Sequence, residues 1–237
     1  MIKFICKKYF QKAFTLAEVM LVTVIIAVLS VAVIPSLKQS IDNFRFKSLV
    51  KETYSTLSRA TNEIISENAG SLTNLNCNAH WEGGTHCLVA PYLTKLNYIK
   101  HCSNDNIAGN CFMAKNNIIK FNAQYFGAGS CDIVNYTIVG TDDAVILQNG
   151  VALYFKSEEI FCKDSDNSPC GRVAIDVNGL NPPNKVGTDI FFAEIKRNGM
   201  STDIGICWSP CSLVPDHDLA QEAGATCIKK VLMNKDY

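Results

Sequence analysis

The chain has 237 residues, with 22 basic and 22 acidic side chains and eleven cysteines. Zero formal charge, with no strongly basic stretch beyond the N-terminal region, argues against a dedicated nucleic-acid surface. No GxSxG, HExxH, P-loop or dinucleotide fingerprint occurs, so an enzyme is not expected. The length suits one long helix and one globular head.

In chain order, Lys3, Lys7, Lys8 and Lys12 precede an apolar run in which Glu18 is the only charge between Phe14 and Ile34. Those 21 residues match the ~20 that cross a bilayer as a helix. The lysines would keep the N-terminus in the cytoplasm under the positive-inside bias. A carboxylate in a spanning segment costs roughly 2.5–3.5 kcal/mol or more, so Glu18 needs a partner or a place among the headgroups.

Lys12-Ala13-Phe14-Thr15-Leu16-Ala17-Glu18, with the apolar helix behind it, resembles the cleavage signal of type IV prepilins and type II secretion pseudopilins. The resemblance covers residues 12–35. It implies that prepilin peptidase cuts between Ala13 and Phe14 and that Phe14 becomes the N-methylated first residue. Glu18 matches the motif's glutamate, and Pro35 falls where many of these subunits have a helix-loosening proline. Ala13 departs from the glycine usual before the scissile bond. Cleavage would expose an α-amine of unperturbed pKa near ~8. In a filament that amine can pair with Glu18 of a neighbouring subunit and set register between apolar helices. Without its leader the chain has 224 residues, 18 basic against 22 acidic, a net −4.

Cys6 lies in the leader, and the ten other cysteines lie between Cys77 and Cys227. An even count in an exported head reads as disulfides. Short-range candidates are Cys77–Cys87, Cys102–Cys111 and Cys162–Cys170, leaving Cys131, Cys207, Cys211 and Cys227 to pair among themselves.

Beyond Pro35, Leu37, Ile41, Phe44, Val50, Tyr54, Leu57, Thr61 and Ile64 recur at helical spacing. The expectation is one helix from Phe14 to Ala69, kinked or melted at Pro35 and stopped by Gly70. Residues 71–84 read as loop. Thr85 caps a short helix over His86–Leu96, broken near Pro91. From there to Gly129, Asn, Gly and Cys dominate around short apolar patches such as Ile118-Ile119-Lys120-Phe121.

Strands are expected over Asp132–Val139, Ala144–Gln148, Val151–Phe155, Arg172–Val177 and Ile190–Ile195. Asn149-Gly150 is a hairpin signal, Arg197-Asn198-Gly199 a turn, and the tail from Cys207 irregular. The fold class is therefore α+β: a long N-terminal helix on an antiparallel, disulfide-rich, pilin-like head. The segments are a leader (1–13), a transmembrane or filament-core helix (14–35), its amphipathic continuation (36–70) and the head (71–237).

Cys77, His80, His86 and Cys87 have zinc-ligand chemistry, but beyond a membrane thiols oxidise and a Cys77–Cys87 disulfide is the simpler reading. The stretch from Asp176 to Asp189 opens as Asp-x-Asn-Gly, like a calcium loop, yet lacks the bidentate glutamate of an EF-hand. Its Asn, Gly and Pro residues suffice as turn chemistry between two strands, and the turn is the first reading. Resemblance to prepilin-like heads, several of which bind calcium, makes calcium at Asp176, Asn178 and Asp189 the second. No other cofactor is expected.

The expected product is a non-enzymatic subunit of a type IV pilus or a type II secretion pseudopilus. Its partners would be other pilin-like subunits, prepilin peptidase, the inner-membrane assembly machinery and, before assembly, lipid. Its location would be the bacterial inner membrane, single-pass, with the head periplasmic or extracellular, and then the filament. The alternative is a secreted binding protein or enzyme cut after Ser30-Val31-Ala32 by signal peptidase.

Overall fold

The longest element is helix α1, Leu16–Glu67. It belongs to a computed structural model that describes residues 15–75, 84–103, 106–114, 117–119, 143–157, 169–204 and 226–235, with Cys162, Cys211 and Gly224. The chain divides into two units, Met1–Phe44 and Arg45–Tyr237. The helix is continuous through Pro35, where a kinked or melted segment was expected. It stops where expected, but the left-handed residue that closes it is Ala69, at φ 53°. Gly70 follows at φ 89° and donates its N–H to Ile65 O at 2.9 Å, the six-to-one bond of a Schellman close.

In the second unit, Phe46, Val50, Leu57, Ala60 and Ile64 of α1 are buried at helical spacing. They share one core with Leu88, Val89, Tyr92 and Leu96 of helix α2, Gly84–Lys95, and its following residue. Thr61 Oγ1 ties the two helices, lying 2.8 Å from Leu57 O and 2.8 Å from the buried Tyr92 hydroxyl. Burial pushes the Tyr92 phenol above its usual range. Helix α2 differs from expectation at both marks. Thr85 lies inside it rather than capping it, and Pro91 sits within it without breaking it. Burial of Leu88, Val89 and Tyr92 outweighs the backbone hydrogen bond that proline removes, a case of tertiary packing overriding local preference.

The sheet is a six-stranded antiparallel meander in sequential order. Its strands are β1 (Tyr98–Ser103), β2 (Asp143–Leu147), β3 (Ala152–Ser157), β4 (Pro169–Asp176), β5 (Ile190–Lys196) and β6 (Gly199–Ser201). Four of these, β2 to β5, match expected strands to within three residues at the ends. Strand β1 was not expected, and Asp132–Val139 lies outside the described residues. Leu147 N–H bonds Val151 O at 2.8 Å, so the β2–β3 hairpin closes around three loop residues, 148–150, rather than two. Gly150 N–H bonds Leu147 O at 2.9 Å, and only Gly150 takes a left-handed backbone, at φ 85°. A two-residue type I′ turn would need both central residues there.

Both sheet faces bury apolar side chains, with Asp143, Arg172 and Glu194 buried among the strands as well. Val145, Leu153, Phe155, Val173, Ile175, Phe191, Ala193 and Ile195 join the helix-side core. Their alternates Ala144, Ala152, Tyr154, Ala174, Ile190 and Phe192 join a second core with Ile107, Cys111, Phe112, Ile118 and Val186. The irregular segments around 107–118 thus cover the face away from the helices. Helix α3, Cys227–Leu232, adds Ile228 and Val231 to the first core, where an irregular tail was expected.

Candidate functional site

Ala13 and Phe14 lie outside the described residues. The first described residue, Thr15, forms a capping box with Glu18. Thr15 N–H and Thr15 Oγ1 both donate to Glu18 Oε2 at 2.8 Å, and Glu18 N–H returns a bond to Thr15 Oγ1 at 3.3 Å. The sequence Thr15-Leu16-Ala17-Glu18 spells this motif, which the charge of Glu18 in an apolar run overshadows. Behind it, Leu16–Ile34 is a 19-residue helix long and apolar enough to cross a membrane, with none of its apolar window buried. Its two other polar side chains are satisfied within the helix: Thr23 Oγ1 bonds Met20 O at 2.9 Å, and Ser30 Oγ bonds Ile26 O at 2.7 Å. Such internal satisfaction is what a lipid-facing helix requires, because the bilayer core has no water to offer. Exposed apolar side chains continue past the span at Leu37, Ile41 and Phe44.

The second site is the loop between β4 and β5. Asp176 ends β4 and Asp189 immediately precedes β5; both are fully buried. Asp189 is held by backbone: Asn184 N–H donates to Oδ2 at 2.8 Å and Lys185 N–H to Oδ1 at 2.5 Å. Asn178 N–H donates to Asp176 Oδ1 at 3.2 Å, an Asx turn that Gly179 completes at φ 66°. Burial, then the neighbouring Asp189 charge, holds the Asp176 carboxyl well above the usual carboxylate range. Burial also pushes Asp189 up, against the hydrogen bonds it accepts. Three buried oxygens here have no hydrogen-bond partner: Asp176 Oδ2, Asn178 Oδ1 and Asn184 Oδ1. Asn184, absent from the expected ligand set, is thus part of the same constellation. Its signal in the sequence was its place in the Pro182-Pro183-Asn184 turn, where it adopts φ 52°.

Three disulfides join described cysteines: Cys102–Cys111, Cys162–Cys170 and Cys211–Cys227, with Cα–Cα distances of 6.0, 4.2 and 4.7 Å. Cys87 is disulfide-bonded as well, while Cys77, His80, Cys131 and Cys207 lie outside the described residues. Among the described residues no group of three or more His, Cys, Asp or Glu side chains gathers as a metal cluster; the unpartnered oxygens of the β4–β5 loop belong to Asp176 and to the amides of Asn178 and Asn184, beside Asp189.

No curated protein and no solved structure matches the chain. A family model described as the prokaryotic N-terminal methylation motif matches residues 9–34, so it speaks for the N-terminal segment alone. That stretch holds Ala13, Phe14, the Thr15–Glu18 box and the apolar helix. The chain therefore carries the prepilin-type cleavage and methylation motif of type IV pilins and pseudopilins, ahead of an α+β, pilin-like head.

Proposed function

We propose that this chain is a structural subunit of a type IV pilus or type II secretion pseudopilus. Prepilin peptidase would cut between Ala13 and Phe14, and the subunit would polymerise through the first half of α1. The observation that carries this reading is an apolar helix whose large hydrophobic side chains, from Leu16 to Phe44, are exposed among the described residues, directly behind a methylation motif. In lipid the helix is at home, and in a filament its neighbours are copies or other pilin-like subunits held by the inner-membrane assembly machinery. The N-terminus lies in the cytoplasm and the disulfide-bonded head beyond the inner membrane, an orientation that the leader lysines and the oxidised cysteines support. No catalytic constellation is part of this function.

Glu18 would serve two states. In the single subunit its carboxylate accepts both bonds from Thr15, so it is not bare in the membrane. In the filament it would pair with the Phe14 amine of a neighbour, which fixes axial register.

N-terminal sequencing and intact mass of the mature protein test the reading. N-methyl-Phe14, produced only when prepilin peptidase is present, is the expected result. A mature chain starting at Val33 would point to an ordinary signal peptide.

A further inference from the structure

The β4–β5 loop has the composition of a cation site whose pieces the surrounding fold has already positioned. Three of its buried oxygens are unpartnered, and all belong to hard ligands: one carboxylate and two side-chain amides. Asp176 is fully buried and Asn184 is 7 % exposed, so water does not readily solvate either group. A buried acceptor left unsatisfied carries its full desolvation penalty, and three of them in one turn point to something held there. The two carboxylates raise the cost further. No ion pair among the described residues reaches Asp176 or Asp189. Two like charges in a buried site cannot both ionise without a counter-ion.

We propose that this loop is a calcium site with Asp176, Asn178, Asn184 and Asp189 as its side-chain ligands. Two carboxylates match the charge of a divalent ion. Amide oxygens from a turn suit calcium, which accepts six to eight oxygens in loose geometry, better than magnesium, which demands a tight octahedron. Histidine and cysteine are absent from the set, which disfavours zinc. Asp189 can still ligate although both its oxygens accept N–H bonds, because each oxygen has a second lone pair.

The loop's other contacts give the ion a structural consequence. Asn184 O accepts the Ile119 N–H at 2.8 Å, and Val186 N–H bonds Ile119 O at 2.9 Å. A methyl group on Gly179 would lie 2.9 Å from Gly150 O in the β2–β3 turn. Calcium held by Asp176 and Asn184 would therefore clamp three segments of the head: the end of β4, the hairpin tip and the strip at 117–119 that covers the second core. This inference is independent of the filament reading and concerns the head alone.

The test uses the full-length protein in detergent, stripped with chelator and titrated with calcium chloride at pH 7, with magnesium chloride in parallel. Calorimetry should find one saturable calcium site assigned to this loop, with magnesium at least about tenfold weaker. Melting of the head should rise by about 5–10 °C at a hundredfold excess over the dissociation constant. Asp176→Asn should abolish that rise while leaving the calcium-free melt unchanged or higher, because it removes one of two like charges. Asn184→Ala, which keeps both carboxylates, should weaken calcium about tenfold or more and serves if Asp176→Asn does not fold. A wild-type protein whose melting ignores millimolar calcium would overturn the proposal and leave a proton-sharing acid pair. A response kept at full affinity in both variants would overturn it too, by placing the ion elsewhere.

Discussion

The two halves of α1 are built from much the same apolar side chains and meet opposite fates. From Leu16 to Phe44 they are exposed, Phe44 by 78 % and Ile41 by 65 %, whereas Val50, Leu57 and Ile64 are wholly buried. Secondary structure does not distinguish them, since one unbroken helix runs through both. The location of the partner does. The second half finds α2 and the sheet in its own chain, and its apolar residues recur on one face. From Leu16 to Ile34 the first half is apolar all round apart from Glu18, Thr23 and Ser30, the pattern of a helix that spans a membrane or lies within a core. A helix of that kind says little about the stability of the head and much about assembly.

That contrast can be broken or sharpened by substitution. Leu57→Ala removes a fully buried side chain and should cost about 2–5 kcal/mol, lowering head melting by roughly 5–15 °C. Leu29→Ala, the matching change in the exposed half, should leave head melting within about 0.5 kcal/mol of wild type. Equal losses from the two would dissolve the distinction.

Next in size is Gly171→Ala in β4, where a Cβ would sit 2.5 Å from Leu88 Cδ2 and 2.9 Å from Lys156 O. With backbone on one side and α2 on the other, overpacking should cost about 1–3 kcal/mol by denaturant titration. The cost would fall wholly on the second unit.

The pH response should be smaller and of definite sign. Asp176 and Asp189 have folded pKa values above the unfolded value of about 3.9. The folded head therefore binds more protons than the unfolded chain, and its stability without divalent cation should rise as pH falls through the folded values. The gain is complete once pH nears the unfolded value. Because other carboxylates work the opposite way, the check is the difference between wild type and Asp176→Asn across pH 4–7. A difference with no slope would remove the two carboxyls from the pH dependence. Smallest is Thr15→Ala, which deletes one side of the capping box and should cost about 1 kcal/mol. It should be visible as faster amide exchange in the first turn of α1 with head melting unchanged.

How much of this was legible in the residues follows the same divide. The methylation motif, the apolar span, the amphipathic continuation and the central strands were readable because each is a local pattern of period 3.6 or 2, or a short fixed motif. Strand β1 was not, since Tyr98-Ile99-Lys100-His101-Cys102-Ser103 shows little alternation and owes its place to pairing with β2. Helix α2 was readable in extent but not in detail, because proline's local cost was outweighed by a core assembled from distant segments. The cover over the second sheet face was invisible for the same reason. In the β4–β5 loop, Asp176, Asn178 and Asp189 stood out by type, while Asn184 joined them only once its backbone was seen donating to Asp189. Glu18 taught the converse lesson. Its charge drew attention to a distant partner, and the nearest one, Thr15, was three residues away.

The central claim, that the first half of α1 is completed by another subunit, rests on Glu18, and its most direct test compares wild type, Glu18→Gln and Glu18→Ala. Glutamine keeps the capping box with Thr15 and loses the charge, whereas alanine loses both. Processing, membrane fractionation and sheared-filament or secretion yield are measured side by side. The account predicts that both variants insert and are cleaved after Ala13, and that both fail to assemble, because the neighbour's Phe14 amine has lost its counter-charge. Normal filament yield from Glu18→Gln would contradict it, and would reduce Glu18 to the cap of its own helix.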